Sequence, residues 1–145
     1  MFKKKQKQLN IGKVITPVGH PNPPEPHEEE IAKILATHFG TTVEFLIPID
    51  DYKRKTPDIK MLGSEWEIKS PTGNSKSTIY KQFRRATKQA DNIIIDTRRT
   101  KIKYEKIENA AIIEFRKRPS IKRVLLIRKI GKIIGKSEIV IEINK

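Results

Sequence analysis

Asp58, Glu67 and Lys69 lie within a dozen residues of one another and are the side-chain types that phosphodiester chemistry uses. Two carboxylates held on one small patch raise each other's pKa, and a divalent cation relieves the repulsion. Mg²⁺ is commonly held by one or two carboxylates together with substrate phosphate oxygens. A lysine two residues beyond the second carboxylate can orient or deprotonate an attacking water. It can also stabilise negative charge developing on phosphorus. This chemistry requires a fold in which the three side chains meet.

The stretch Thr56 to Ser70 reads as a hairpin that would bring them together. Ile59-Lys60-Met61-Leu62 forms one arm, Gly63-Ser64 the turn and Glu65-Trp66-Glu67-Ile68-Lys69 the other. Alternation along the second arm sends Glu65, Glu67 and Lys69 to one face and Trp66 and Ile68 to the other. Asp58 enters the first arm behind Pro57, which has no N–H for a ladder and so suits a strand start. Antiparallel pairing of the arms sets Asp58 beside Glu67 and Lys69.

A helix predicted from His27 to Gly40 adds a fourth group. Glu28, Ile31, Ala32, Leu35 and Phe39 fall on one side, so Glu28 is a carboxylate on the buried stripe, aimed at the sheet. Glu29 and Glu30 are explained by the helix macrodipole, with a lesser functional claim for Glu30. His20, His27 and His38 have no spacing suited to a metal and read as surface residues.

The chain has 145 residues, enough for one domain with a real core, and a formal net charge of +14. That charge points to a polyanionic partner, most simply nucleic acid. No apolar run reaches transmembrane length, no secretory leader is evident and no basic amphipathic helix suits a bilayer surface, so membrane insertion is not expected. The absence of cysteine excludes disulfides and thiolate zinc sites. Residues 1–26 read as a basic, proline-rich N-terminal arm, with Met1 to Lys7 poorly ordered or docked on phosphate and Gly19 to Pro26 extended. Residues 27–145 read as a single domain.

The remaining elements are a strand over Thr41 to Ile47, a charged loop over Ile49 to Lys55, the hairpin, and a helix capped by Ser75 or Ser77 and running to about Ala90. That helix carries an apolar stripe of Ile79, Phe83, Ala86 and Ala90. Beside it lies a basic stripe of Lys81, Arg84, Arg85 and Lys88, assigned to phosphate, with Gln82 and Ser70 as further substrate contacts. Asn92 to Asp96 is a strand buried on both faces. A helix over Lys103 to Lys117 and strands over Arg123 to Ile127 and Glu138 to Ile143 complete an α/β chain.

Pro57-Asp58, eight residues, then Glu67-Ile68-Lys69 resembles the signature of the PD-(D/E)XK nuclease superfamily. The order helix, three strands, helix, strand resembles that superfamily's restriction-endonuclease-like core, here with an added helix and two C-terminal strands. The resemblance implies that Asp58, Glu67 and Glu28 bind a divalent metal. Mg²⁺ is the first choice, with Mn²⁺ and Zn²⁺ as alternatives, and Glu28, Asp58, Glu67 and Lys69 form the catalytic set. A closer likeness rests on Val43-Glu44-Phe45-Leu46, Thr56-Pro57-Asp58, Trp66-Glu67-Ile68-Lys69-Ser70-Pro71-Thr72-Gly73, Lys81-Gln82-Phe83-Arg84-Arg85-Ala86 and Ile93-Ile94-Ile95-Asp96. Together these resemble the CdiA-type C-terminal tRNase toxin domain of contact-dependent growth inhibition proteins. That resemblance implies cleavage of tRNA in the bacterial cytoplasm, delivery as part of a secreted toxin, and neutralisation by an immunity protein expected to be acidic. Such domains end very large proteins, a pattern from which this chain, opening on Met1 and a lysine arm, departs. The same centre also fits a DNA endonuclease of resolvase or restriction type. A non-catalytic nucleic-acid-binding module is a further reading, against which the intact Asp58, Glu67 and Lys69 stand.

Overall fold

The computed structural model describes residues 12–49, 55–133 and 136–145. The lysine-rich segment expected to be disordered or phosphate-bound, and most of the charged loop expected over 49–55, lie outside the described residues. The elements are β1 (Val14–Ile15), α1 (Pro26–Phe39), β2 (Val43–Phe45), β3 (Ile59–Met61), β4 (Ser64–Lys69), α2 (Thr78–Ala86), β5 (Asn92–Asp96), α3 (Tyr104–Lys117), β6 (Arg123–Ile133) and β7 (Lys136–Ile143). The seven strands form a sheet in sequential order. β2, β3 and β4 pair antiparallel, β4, β5 and β6 pair parallel, and β7 returns antiparallel to β6. The expected succession of helix, three strands, helix, strand, helix and two strands is all present. The addition is β1, which lies in the N-terminal arm and pairs parallel with β2.

Two apolar clusters cover the two faces of the sheet. Ile31, Leu35 and Ala36 of α1 pack on Val43, Ile59, Trp66, Ile68 and Ile94. Ile79 and Phe83 of α2, with Ile107 and Phe115 of α3, pack on Ile93, Ile95, Val124 and Leu126. The consecutive isoleucines of β5 therefore divide between both layers, as a strand buried on both faces requires. Two successive crossovers in one direction, β4 to β5 and β5 to β6, explain why α2 and α3 share a face. Val140 of β7 packs with the α1 cluster, so the C-terminal edge curls back over that helix.

Local boundaries differ where local chemistry competes with pattern. β6 and β7 run past Ile127 and before Glu138 because a hairpin can continue beyond the core, where hydrophobicity no longer marks it. α2 stops at Ala86, and Gln89 continues the chain in a turn through its N–H to the Ala86 carbonyl. The hairpin turn is Leu62-Gly63, one residue earlier than expected, with Met61 opposite Ser64. Both turn residues have positive φ, 55° and 72°. That is the backbone of a tight turn matching strand twist, and it suits Asn-Gly far better than Leu-Gly. Leu62 is exposed, so its side chain gains little burial in return. Leu62→Asn should therefore raise unfolding stability by about 1 kcal/mol, read as a higher urea midpoint with unchanged slope.

Candidate active site

The hairpin aims its polar side chains as the alternation requires. Glu67 lies opposite Ile93 and Lys69 opposite Ile95, on the α2 face, while Ile68 pairs with Ile94 on the α1 face. Trp66, fully buried, has its indole N–H satisfied by the Met61 carbonyl at 3.0 Å, which locks the hairpin. Asp58 sits just before β3, its N–H donating to the Trp66 carbonyl and its carbonyl accepting from Leu46. Its carboxylate then takes the place of a ladder carbonyl, with Asp58 Oδ2 accepting from the Ile68 N–H at 2.8 Å. A backbone donor of β4 thus fixes the Asp58 side chain beside Glu67.

Glu67 is the unusual member. It is only 3 % exposed, its Oε2 lies 2.8 Å from Lys69 Nζ, and its buried Oε1 has no hydrogen-bond partner. Burial first, and then the Asp58 carboxyl beside it, push its pKa up to about 8, against the opposing pull of Lys69. Lys69 is held at its other side by Gln89, whose Oε1 accepts from Nζ at 2.8 Å. Ser70, next along the chain, has a buried hydroxyl oxygen that also lacks a partner.

Asp58, Glu67, Lys69 and Ser70 line a cleft of about 430 Å³ together with Glu28 from the first turn of α1. Pro26 starts that helix, and Glu28 Oε1 accepts from the Glu25 N–H at 3.3 Å. The four residues expected to act together, Glu28, Asp58, Glu67 and Lys69, thus share one cavity with Ser70. Glu30 does not join them: it binds Arg98, whose Nη1 lies 2.6 Å from Glu30 Oε1. Lys81, Arg84, Arg85 and Lys88 lie outside the cleft, on α2 and the turn after it, and none has an acidic partner among the described residues. Gln82 is half-buried on α2 and does not line the cleft.

Two residues lining the cleft and one behind it escape a reading of the sequence. His27 is a half-buried wall of the cleft rather than an isolated surface residue, at the proline-led start of α1 and 3.3 Å from the exposed Glu25 carboxylate. Arg99 follows β5 and lines the cleft at the same strand ends as Lys69. The signal for it is positional, since ligands gather outside the carboxyl ends of parallel strands. Gln89 carries no signal: the expected helix runs through it to Ala90, whereas α2 ends at Ala86 and the turn that follows brings Gln89 to Lys69.

Chemically, the donor set fits a divalent cation. The buried Glu67 Oε1, next to a second carboxylate, is an acceptor that none of the described residues satisfies. Without a cation, the cleft favours protonated Glu67. A folded-state pKa above the ordinary 4.5 means this stabilisation is complete below that value, is lost as pH rises towards about 8, and is absent above it. In buffer with a chelator, wild-type stability relative to Glu67→Gln should fall between pH 5 and 8 by roughly 1 kcal/mol per pH unit and level off beyond. Chemical denaturation of both proteins across that range measures it.

The sequence profile described as the contact-dependent growth inhibition CdiA C-terminal domain matches residues 55–133, which contain Asp58, Glu67 and Lys69 but not α1. No curated protein matches. Among solved structures, the CdiA-CT/CdiI toxin and immunity complex from Burkholderia pseudomallei aligns with a TM-score of 0.53 at 16 % identity, over 90 % of this chain and 99 % of that one. At that identity the likeness speaks for the fold, a mixed α/β sheet with helices on both faces. The profile match spans more than half of the chain, which accordingly belongs to the CdiA C-terminal domain family.

Proposed function

We propose that this domain is a toxin that cuts tRNA phosphodiester bonds, as a metal-dependent nuclease of the PD-(D/E)XK type. The observation that carries the reading is Glu67, a buried carboxylate with one oxygen on Lys69 and the other unpaired beside Asp58. Family membership supports a toxin, and a net charge of +14 supports a nucleic-acid substrate.

In this reading Asp58, Glu67 and Glu28 hold a divalent cation, Mg²⁺ by preference. When bound, such a cation supplies positive charge to a phosphoryl oxygen and lowers the pKa of a coordinated water. Lys69 Nζ, fixed between Glu67 and Gln89, presents its remaining donor to the attacking water or to charge developing on phosphorus. Ser70 offers its unpaired hydroxyl to substrate at the cleft wall. Lys81, Arg84, Arg85 and Lys88 hold the phosphate backbone beside the cleft. The nuclease domain comprises residues 27–145, with residues 1–26 as its arm and Val14–Ile15 joined to the sheet edge.

The solved relative is a toxin and immunity complex, and by analogy a cognate immunity protein would cover this domain's basic cleft surround with acidic side chains. Action in the bacterial cytoplasm, after delivery within a larger secreted toxin, follows from the same family reading.

Purified protein incubated with total tRNA and Mg²⁺ should yield discrete fragments, and EDTA should stop it. Asp58→Ala, Glu67→Ala and Lys69→Ala should each slow cleavage by about 10²-fold or more with the fold retained. Intact tRNA beside nicked plasmid DNA would redirect the reading to a DNA endonuclease, and cleavage surviving EDTA and Glu67→Ala would reject the site. Binding of uncleavable tRNA should weaken with salt. Alanine at Lys81, Arg84, Arg85 or Lys88 should each reduce the log–log slope by about 0.7–0.9, the share of one neutralised phosphate.

A further inference from the structure

Arg99 lines the acidic cleft, yet its guanidinium is paired with none of the carboxylates there. Among the described residues its partner is the His27 imidazole, with Nη1 3.4 Å from Nε2. An arginine is always a donor, so Nε2 accepts and the ring proton sits on Nδ1, which faces Glu25 Oε2 at 3.3 Å. The residues on either side of Arg99 are committed elsewhere. Thr97 donates through its N–H and its Oγ1 to the Ile127 carbonyl, at 3.0 and 2.7 Å. Arg98 is clamped on Asp96 and Glu30. Thr100 Oγ1 donates to the Gly73 carbonyl at 2.6 Å, which ties this loop to the one that follows Lys69. The backbone carrying Arg99 is thus fixed at the ends of β4 and β5 while its side chain stays exposed. A cation that served only solubility has no need of an anchored loop at the mouth of an anionic cleft.

We propose that Arg99 is the residue that grips the phosphate to be cut, exchanging the His27 imidazole for phosphate oxygens when substrate enters. The inference rests on the nuclease reading for the reaction, and on the setting of Arg99 for the residue. Lys69 cannot hold the phosphate alone, because its Nζ is already divided between Glu67 and Gln89. A guanidinium meets two phosphate oxygens at once through parallel N–H donors and keeps its charge at any working pH. The same donors stabilise the negative charge that develops on those oxygens in the transition state. The imidazole contact is long and its acceptor uncharged, so Arg99 gives it up at small cost; a carboxylate partner would compete with the substrate for the same donors. The His27 ring spans the gap between Glu25 and Arg99 and keeps the guanidinium from settling on that carboxylate, which makes His27 a positioning residue.

Two measurements on the full chain test it, and because Arg99 is exposed neither variant threatens the fold. Arg99→Ala should slow tRNA cleavage at saturating enzyme by about 10²-fold or more, while changing the Kd for tRNA in EDTA by less than about threefold. Arg99→Lys, which keeps the charge but not the fork, should recover about tenfold of that loss. A saturating rate left unchanged by Arg99→Ala would overturn the proposal and leave the nuclease reading standing. The second readout needs no cleavage: the nuclear magnetic resonance of the Arg99 Nε–H, assigned by its absence in Arg99→Lys, is followed as wild type is titrated with adenosine 5′-monophosphate and Mg²⁺. It should shift saturably, with the His27 ring signals moving as the guanidinium departs, while the Arg98 resonance, clamped on Asp96, stays in place. An Arg99 signal indifferent to the nucleotide would overturn the phosphate contact. A saturable shift in a protein that cuts neither tRNA nor plasmid DNA would keep Arg99 as a phosphate ligand and reject the nuclease reading instead.

Discussion

Burial of the Glu67 carboxyl next to Asp58 is the constraint around which the rest is arranged. A carboxylate removed from water must be paired or protonated, and here one ammonium is set against two carboxyl groups. Lys69 satisfies one Glu67 oxygen and is itself divided with Gln89, and among the described residues the other oxygen has no donor. A core optimised only for stability would replace that oxygen or give it a hydrogen bond. Retaining it in a cleft, with a second carboxylate locked alongside by the Ile68 N–H, fits the cation cradle proposed above.

Holding such a cradle open requires rigid elements on three sides. Pro57 and the Leu62-Gly63 turn define the hairpin, and buried Trp66 fastens its outer face to α1. β5 fixes the inner edge of β4 through a parallel ladder while its isoleucines anchor both helical layers. α1 must then be registered against the strand ends so that its first turn meets the hairpin. Arg98 does this: it grips buried Asp96 through Nε and Nη2, and reaches Glu30 of α1 and Glu138 of β7 through Nη1. Charge-assisted bonds of this forked kind are strong and directional. Glu30 is therefore a structural counterion whose work positions its neighbour Glu28.

Periodicity makes most of this legible. Alternation around Trp66 and Ile68 implies that Glu67 and Lys69 face together, and the antiparallel arms imply Asp58 near them, although the register that sets it opposite Glu67 depends on the turn. Glu28 is readable because helical spacing puts a charge on an apolar stripe. The features that stay hidden depend on tertiary contact rather than pattern. β1 is two residues long, and its pairing with β2 leaves no hydrophobic repeat. Gln89 touches Lys69 only because α2 ends early and the chain turns. His27 and Arg99 are 72 residues apart, and only the meeting of α1 with the β5 end makes them neighbours. Leu62 breaks the turn preference that normally marks a hairpin, so the pattern places the bend one residue late.

The charge distribution gives the centre and its surround opposite tasks. A polyanion approaching a chain of net charge +14 is attracted to exposed cations such as the α2 stripe, whose members have no acidic partners among the described residues. The cleft itself, with Glu25, Glu28, Asp58 and Glu67, repels a phosphate unless its own negative charge is first reduced. Protonation of Glu67 removes one such charge; a divalent cation removes more and leaves a positive field where the phosphate must sit. Basic surface alone would bind nucleic acid anywhere along its backbone. In the proposed nuclease reading, pairing that surface with an acidic cleft would make close approach conditional on the cation, and so confine chemistry to a loaded centre.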